Sequence, residues 1–289
     1  MPAVAPSAHK DAPALLAPAK VNLHLGIHPG RDERGYHRAD SIMIPLELGN
    51  GLAIARSDAP EAVFEPALSI PVEKSVVFRA VDAFERTFTP GCSWRASVTR
   101  LTPGSAGLGS SSADAGAVLR ELARIVGVPS DDKRLVAIAR SLGADVAFFL
   151  QGSPALLGGV GDVLERTFPH VSMEIALVKP EVGVSTVEAY RTFDAHPVEP
   201  ADPSDLAAAL DAGDIPEIAA HLSNNLAPAA IELAPEVGEC LAWLRAQQGV
   251  LGAQVTGSGS CSFAICATAS DAERIAAASP WWAHATRTI

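Results

Sequence analysis

Basic residues are scarce in this chain of 289 residues: 22 lysines and arginines stand against 33 acids, a formal net charge of -11, and only five of the 22 are lysines. Broad nucleic-acid binding and attraction to an anionic membrane both need a basic face, so this balance argues against them. A small anionic ligand is still allowed, because a few local donors suffice to hold one. Cysteine is sparser still. Cys92, Cys240, Cys261 and Cys266 include no CxxC pair, which argues against a disulfide framework and against zinc. The expected compartment is therefore a reducing cytoplasm. No window approaches eighteen uninterrupted apolar residues, so no membrane-spanning helix is expected. Residues 1–13, MPAVAPSAHKDAP, are broken by Lys10 and Asp11 and leave no apolar run for a signal peptide; they read as a loose tail. No internal repeat of twenty to fifty residues is visible.

What the chain does have is a 48% apolar and 19% charged composition, that of a globular protein with one large or two moderate domains. Its most informative stretch begins with a strand in which Trp94, Ala96 and Val98 alternate with polar residues. Pro103 stops the ladder. There follow Gly104, Ser105, Ala106, Gly107, Leu108, Gly109, Ser110, Ser111 and Ser112, a run whose backbone can reach positive φ and approach a ligand closely. From Ala113 onward a helix is expected, with Val118, Leu119, Leu122 and Ile125 on one stripe. A helix opened by small residues offers unpaired N–H groups and the positive end of its dipole to an anion. The run lacks the Gly-Lys-Ser/Thr ending of a Walker loop, and no acid follows a second strand as a dinucleotide fold would require. Anion binding and a plain Gly/Ser connection both remain open on this stretch alone.

Earlier, residues 15–27 alternate Val21, Leu23, Leu25 and Ile27 with Lys20, Asn22 and His24. Lys20 and Asn22 then project to one side of a strand, about 7 Å apart. Lys20 is either an edge-strand lysine reaching solvent or part of a site. A charged turn over 28–37 ends on Gly-Tyr-His, and a strand resumes at 41–48. The only two tyrosines, Tyr36 and Tyr190, fall in polar connections, where each suits a loop anchor or a stacking platform. Residues 50–72 are weakly patterned. Helices are expected over 74–88 and 129–142, the second ending at Gly143. Asp145 precedes an intensely apolar run, either as a helix cap or as a tuned carboxylate. Strands are expected over 156–164 and 173–179, then a proline-rich surface crossing around VEAYRTF. Helices follow near 204–212, 214–223 and 235–248, then a hairpin over 251–266 turning on Gly257-Ser258-Gly259-Ser260, and a final helix and strand.

Three stretches, PAKVNL from Pro18, the loop from Pro103 to Ala113, and GAQVTGSGSCSFAI near the end, together resemble the GHMP kinases, small-molecule kinases with a phosphate loop of non-Walker type. RGYH from Arg34, LGADVAFFL from Leu142, GVSTVEAY from Gly183 and GSGS from Gly257 are similar to the branch of that family acting on the diphosphocytidyl derivative of methylerythritol. The resemblance implies ATP-dependent phosphorylation of the 2-hydroxyl of that substrate in the non-mevalonate isoprenoid route. It makes Asp145 the general base and Lys20 its charged partner. Pro103 to Ala113 would hold ATP, and Tyr36 and Tyr190 would stack on cytosine with His37 at its polar edge. Asn22 would contact the erythritol or its diphosphate, and Gly257 and Ser258 would line the methylerythritol end. Magnesium follows from the chemistry of ATP, with no ligands assigned. The implied fold is a two-domain α/β (α+β) kinase: an S5-domain-2-like nucleotide domain over 14–165 and a ferredoxin-like substrate domain over 166–289, as monomer or homodimer. The chain departs from the family where Ser110-Ser111-Ser112-Ala113-Asp114 replaces a glycine-richer loop, where DGYH becomes RGYH, and at Ser75. A kinase for homoserine or mevalonate is the rival expectation, and it would keep Tyr36 and Tyr190 out of one pocket. A non-catalytic nucleotide-binding regulator is a further rival, but would need neither Lys20 nor Asp145.

Overall fold

A computed structural model describes residues 15–289, so the tail expected over 1–13 lies outside the described residues. The long alternating segments at the start pair with each other. β1 (Leu15–Ile27) runs antiparallel to β2 (Ala39–Ser57), with Leu15 opposite Leu52 and Ile27 opposite Ala39. β3 (Glu61–Glu65), α1 (Val76–Phe88) and β4 (Ser93–Thr99) complete a crossover in which β3 and β4 lie parallel. Then come α2 (Ser110–Val126), α3 (Lys133–Leu142) and α4 (Ala144–Gln151), followed by the short strands β5 (Ala155–Gly158) and β6 (Val163–Thr167).

The second half opens with β7 (Glu174–Lys179), α5 (Thr186–Ala195), α6 (Ser204–Ala212), α7 (Ile215–Ala220) and β8 (Ser223–Asn224). It closes with α8 (Ala227–Leu233), α9 (Pro235–Arg245), β9 (Val250–Val255), β10 (Ser262–Cys266), α10 (Ala269–Ala278) and β11 (Trp282–Arg287). One sheet is ordered β3-β4-β2-β1-β8, with β5 on β2 and β6 on β5; the other is β11-β7-β10-β9. No described helix is long and apolar enough to cross a membrane.

β1 is covered on both faces. Val21 and Leu23 pack with Leu177, Phe263 and Ile265 of the second sheet, while Lys20, Asn22 and His24 are buried on the opposite side. β8, from the second half of the chain, pairs along its outer edge. The edge-lysine reading of Lys20 fails because its backbone N–H is taken by Leu108 O, and the residue is 2% exposed, turned toward a cavity rather than outward from a sheet edge.

Other expectations are corrected for local reasons. The helix expected over 129–142 begins at Lys133, where the Asp132 side chain caps Arg134 N–H and leaves Pro129–Asp132 as a turn. The strand expected over 156–164 is two strands, split by a turn that puts Gly159 and Gly161 at positive φ. Residues 144–151 are helical and Gly143 is the cap, so Asp145 is not. VEAYRTF lies in α5, capped by Ser185, which places Tyr190 on a helix rather than in a connection. The expected 214–223 helix shortens to α7, and α8 is an element that the sequence pattern did not separate.

Two contacts fix the helix behind the Gly/Ser run. A Cβ on Gly116 would stand 2.5 Å from Phe149 Cβ and 3.0 Å from its carbonyl carbon, so α2 and α4 touch where only glycine fits. Nearby, the Asn50 amide donates to both Asp114 carboxyl oxygens, at 3.0 and 3.1 Å, and its own oxygen accepts from Leu101 N, Thr102 N and the Thr102 hydroxyl. Burial pushes the Asp114 carboxyl up to about 7, against the downward pull of Asn50 and Arg100.

Gly116→Ala gains about 1 kcal/mol of helix propensity but overpacks a backbone contact at about 1–3 kcal/mol. We expect a net loss, read as a lower urea midpoint with unchanged slope; a midpoint at or above wild type contradicts it. At Asp114 the folded state holds a proton that the unfolded chain releases in the ordinary carboxylate range. That contribution is complete below the unfolded value and is lost as pH rises through about 7. Asp114→Asn should therefore gain on wild type by on the order of 2 kcal/mol between about pH 5 and about pH 8 in urea unfolding. An equal difference at both pH values refutes it.

Candidate active site

The site starts at an irregularity in β1. The register with β2 slips between Pro18 and Lys20, and Lys20 N–H bonds Leu108 O of the Gly/Ser run at 3.1 Å instead. The strand is thereby stitched to the loop. Lys20, 2% exposed, donates from Nζ to Asn22 Oδ1 and to Gly107 O at 2.7 Å, and stands 3.9 Å from Asp145 Oδ2. Burial lowers the lysine's affinity for its proton, and the negative charge of Asp145 opposes that shift. Asp145 sits in the first turn of α4, where the positive end of the helix favours a carboxylate. The two groups, 125 positions apart in the chain, meet in one place.

The loop can come this close only as glycine. Gly107 is at φ +71°, and a Cβ there would lie 2.1 Å from Thr256 O; at Gly109, also at φ +71°, it would meet Phe149 at 2.9 Å and Lys20 Cε at 3.3 Å. Gly109 is the N-cap of α2 and offers no side-chain acceptor, so the first-turn N–H groups open toward a cavity of about 530 Å³. Gly104 to Ser112 line that cavity with Lys20, Asn22, Asp145, Tyr190, Gly257 and Ser258. Pro103 and Ala113 do not; Ala113 turns into the core beneath. A second cavity of about 150 Å³ shares Gly104, Ser110 and Ser111 with the first and is walled by Phe64, Leu68 and Ile70, with Asp114 among its polar groups.

On the opposite side α5 brings Tyr190, whose phenol is pushed up to about 12 by burial and then by the Asp145 charge. His37 stacks on Tyr190 with ring centroids 5.6 Å apart. Its Nδ1 must donate, since its partner at 3.0 Å is the carbonyl oxygen of His28. Nε2 lies 2.9 Å from Asp194 Oδ1, off the line a hydrogen bond needs. Tyr36 stands apart: it is 59% exposed, lies outside the lining of the cavity, and has the Arg34 guanidinium 5.6 Å from its ring centre.

Three residues to which the sequence pattern assigns no role, Thr256, Ser41 and Asn224, support these groups. The fully buried Thr256 hydroxyl accepts from Asn22 N–H at 3.2 Å and lies 3.1 Å from Asn22 Oδ1. Ser41 accepts from the Asn22 amide at 2.8 Å. Asn224 donates to Val255 O and Gly257 O, holding the Gly257–Ser258 turn. Thr256 directly precedes the GSGS turn, and Asn224-Asn225 interrupts an otherwise apolar region; those were the available signals. Among the described residues no group of three or more His, Cys, Asp or Glu side chains could hold a metal ion. The cavity offers one carboxylate, Asp145, and serine hydroxyls, which suits a magnesium ion that takes most of its ligands from phosphates and water.

Comparison with known proteins bears on this geometry. Residues 75–153 match the GHMP kinases N terminal domain and residues 206–279 the GHMP kinases C terminal domain. The 4-diphosphocytidyl-2-C-methyl-D-erythritol kinase of Desulfitobacterium hafniense is 35% identical over 265 residues, covering 91% of this chain and 90% of the relative. That of Pelotomaculum thermopropionicum is 34% identical, covering 91% and 92%. A crystal structure of 4-(cytidine 5'-diphospho)-2C-methyl-D-erythritol kinase superposes with a TM-score of 0.79 at 30% identity, over 95% of this chain and 98% of the other. A homoserine kinase from Cytophaga hutchinsonii shares the fold at 20% identity and a TM-score of 0.71. Matched along nearly its whole length by such enzymes, the chain belongs to the 4-diphosphocytidyl-2-C-methyl-D-erythritol kinase family of the GHMP kinases.

Proposed function

We propose that this chain transfers the terminal phosphoryl group of ATP to the 2-hydroxyl of 4-diphosphocytidyl-2-C-methyl-D-erythritol, a step of the non-mevalonate isoprenoid route. The observation that carries the reading is the approach of Lys20 Nζ to within 3.9 Å of Asp145 in a cavity bordered by the N-terminus of α2. An alcohol is a poor nucleophile at neutral pH. Asp145 takes its proton as the oxygen attacks the terminal phosphorus, the bond to the bridging oxygen breaks, and ADP leaves with that electron pair. Lys20 offsets the carboxylate and draws the migrating negative charge, while the open N–H groups of Ser110 to Ser112 receive the phosphates.

The second cavity, apolar on one side and joined to the first through Gly104, Ser110 and Ser111, suits the adenine. Asn22 and the Gly257–Ser258 turn face the erythritol, and Tyr190 faces the cytosine with His37, which does not line the cavity, stacked against the tyrosine. Magnesium, carried in with ATP, supplies charge neutralisation; Asp145 and the serine hydroxyls of the α2 turn are the side chains that would face it. The corresponding division of labour is a nucleotide domain over 14–165 and a substrate domain over 166–289. One observation favours a second reading, a GHMP kinase for another small alcohol: Tyr36 stands outside the cavity that Tyr190 lines.

A coupled ATP assay on purified protein separates the two readings. The diphosphocytidyl alcohol should be consumed while homoserine and mevalonate are not, and the reverse preference defeats the proposal. Asp145→Asn should lower kcat by about 10²- to 10⁴-fold, the usual worth of a positioned general base, with the ATP dissociation constant within about twofold of wild type. Undiminished turnover would remove Asp145 from the mechanism.

A further inference from the structure

Of the four lysines among the described residues only Lys20 and Lys179 are buried, and the chemistry above uses only the first. Lys179 ends β7 with 8% exposure, and among the described residues no acid pairs with it. A buried ammonium is costly unless its donors are met. Here they are met by backbone: Nζ donates to Pro180 O at 2.8 Å, Val182 O at 3.3 Å and Glu181 O at 3.5 Å, so the turn is wrapped around the charge.

Val182 O has a second donor. The hydroxyl of Ser260, a fully buried residue just past the Gly257–Ser258 turn, reaches it at 2.6 Å. One carbonyl is thus held from two parts of the fold. Beyond it the chain enters the cavity wall directly. A Cβ on Gly183 would lie 3.0 Å from Ser105 Cβ, Val184 and Thr186 line the cavity, and the Thr186 hydroxyl stands 2.9 Å from that of Ser258. Tyr190 follows one turn later on the same helix.

We propose that Lys179 is a positioning residue: through the carbonyls of residues 180–182 it sets the wall from Val184 to Tyr190 against which the acceptor alcohol is held. The identity of that alcohol rests on the function proposed above; the mechanical role does not. Lys179→Met keeps the length of the side chain and removes its donors. We expect the KM for the diphosphocytidyl alcohol to rise about tenfold, as for a misplaced positioning wall, with kcat and the KM for ATP within about twofold of wild type.

Ser260→Ala should act in the same direction. Because both side chains bond one carbonyl, the double variant should fall short of the product of the single effects. Amide hydrogen exchange in 181–187 should quicken by about tenfold or more in Lys179→Met while that in 104–112 is unchanged. A folded Lys179→Met with unchanged alcohol KM overturns the proposal, as do KM values for alcohol and ATP that rise together, or single effects that multiply. If Lys179→Met does not fold, Ser260→Ala decides by the same KM criterion. If the wild type refuses the diphosphocytidyl alcohol and accepts another, the proposed function falls, and the exchange pattern and the KM for the accepted alcohol still judge Lys179.

Discussion

A single buried ammonium organises this molecule. Lys20 is held in a place where burial works against its charge, and a facing carboxylate and two accepting oxygens oppose that penalty. Each partner belongs to a different element: Asn22 to the same strand, Gly107 to the loop, and Asp145 to the start of α4. Satisfying one cation therefore fixes the relative positions of all three. The glycines follow from the same constraint, since the loop must pass the lysine stem and the Thr256 carbonyl at distances that leave no room for a Cβ.

The cavity so formed is suited to phosphate without being rich in cations. Lys20 is the sole basic residue of its lining, in a chain whose formal charge is -11. Its remaining donors are uncharged: first-turn N–H groups of α2 and the hydroxyls of Ser110 to Ser112. Such donors favour an anion at short range through the helix terminus and decay within a turn, so they suit a small polyphosphate and give a nucleic acid no basic face to track. Ser110 to Ser112 add donors where conformational freedom is less needed; Gly107 and Gly109 stand at the two tight approaches.

The second sheet acts by covering β1. Once Val21 and Leu23 are packed against Phe263 and Leu177, the polar row of the strand has one direction left, toward the loop and α4. β8 and Asn224 then carry the Gly257–Ser258 turn to the same strand. Wall and floor of the cavity thus come from segments more than two hundred positions apart, joined through a strand neither could cover alone.

Much of this was legible beforehand, for reasons visible in particular residues. Alternation placed Lys20 and Asn22 on one side of a strand, and the Gly/Ser run before an alanine-rich helix marked a close backbone approach opening a helix, because both patterns are local consequences of backbone geometry. Where local signals compete, pattern decides less: the apolar run after Gly143 fits a strand or a helix equally, and Tyr190 reads as part of a connection because its helix is short and flanked by prolines. The linear order of residues by itself determined the strand–loop–helix unit, its glycines, and the chemical identities of an ammonium and a carboxylate. Only the tertiary structure decided that these two groups face each other, that the lysine is buried rather than at an edge, and that Thr256, Ser41 and Asn224 support it. The reason is that burial and pairing depend on which distant surfaces cover a strand, and no periodicity within a segment encodes that.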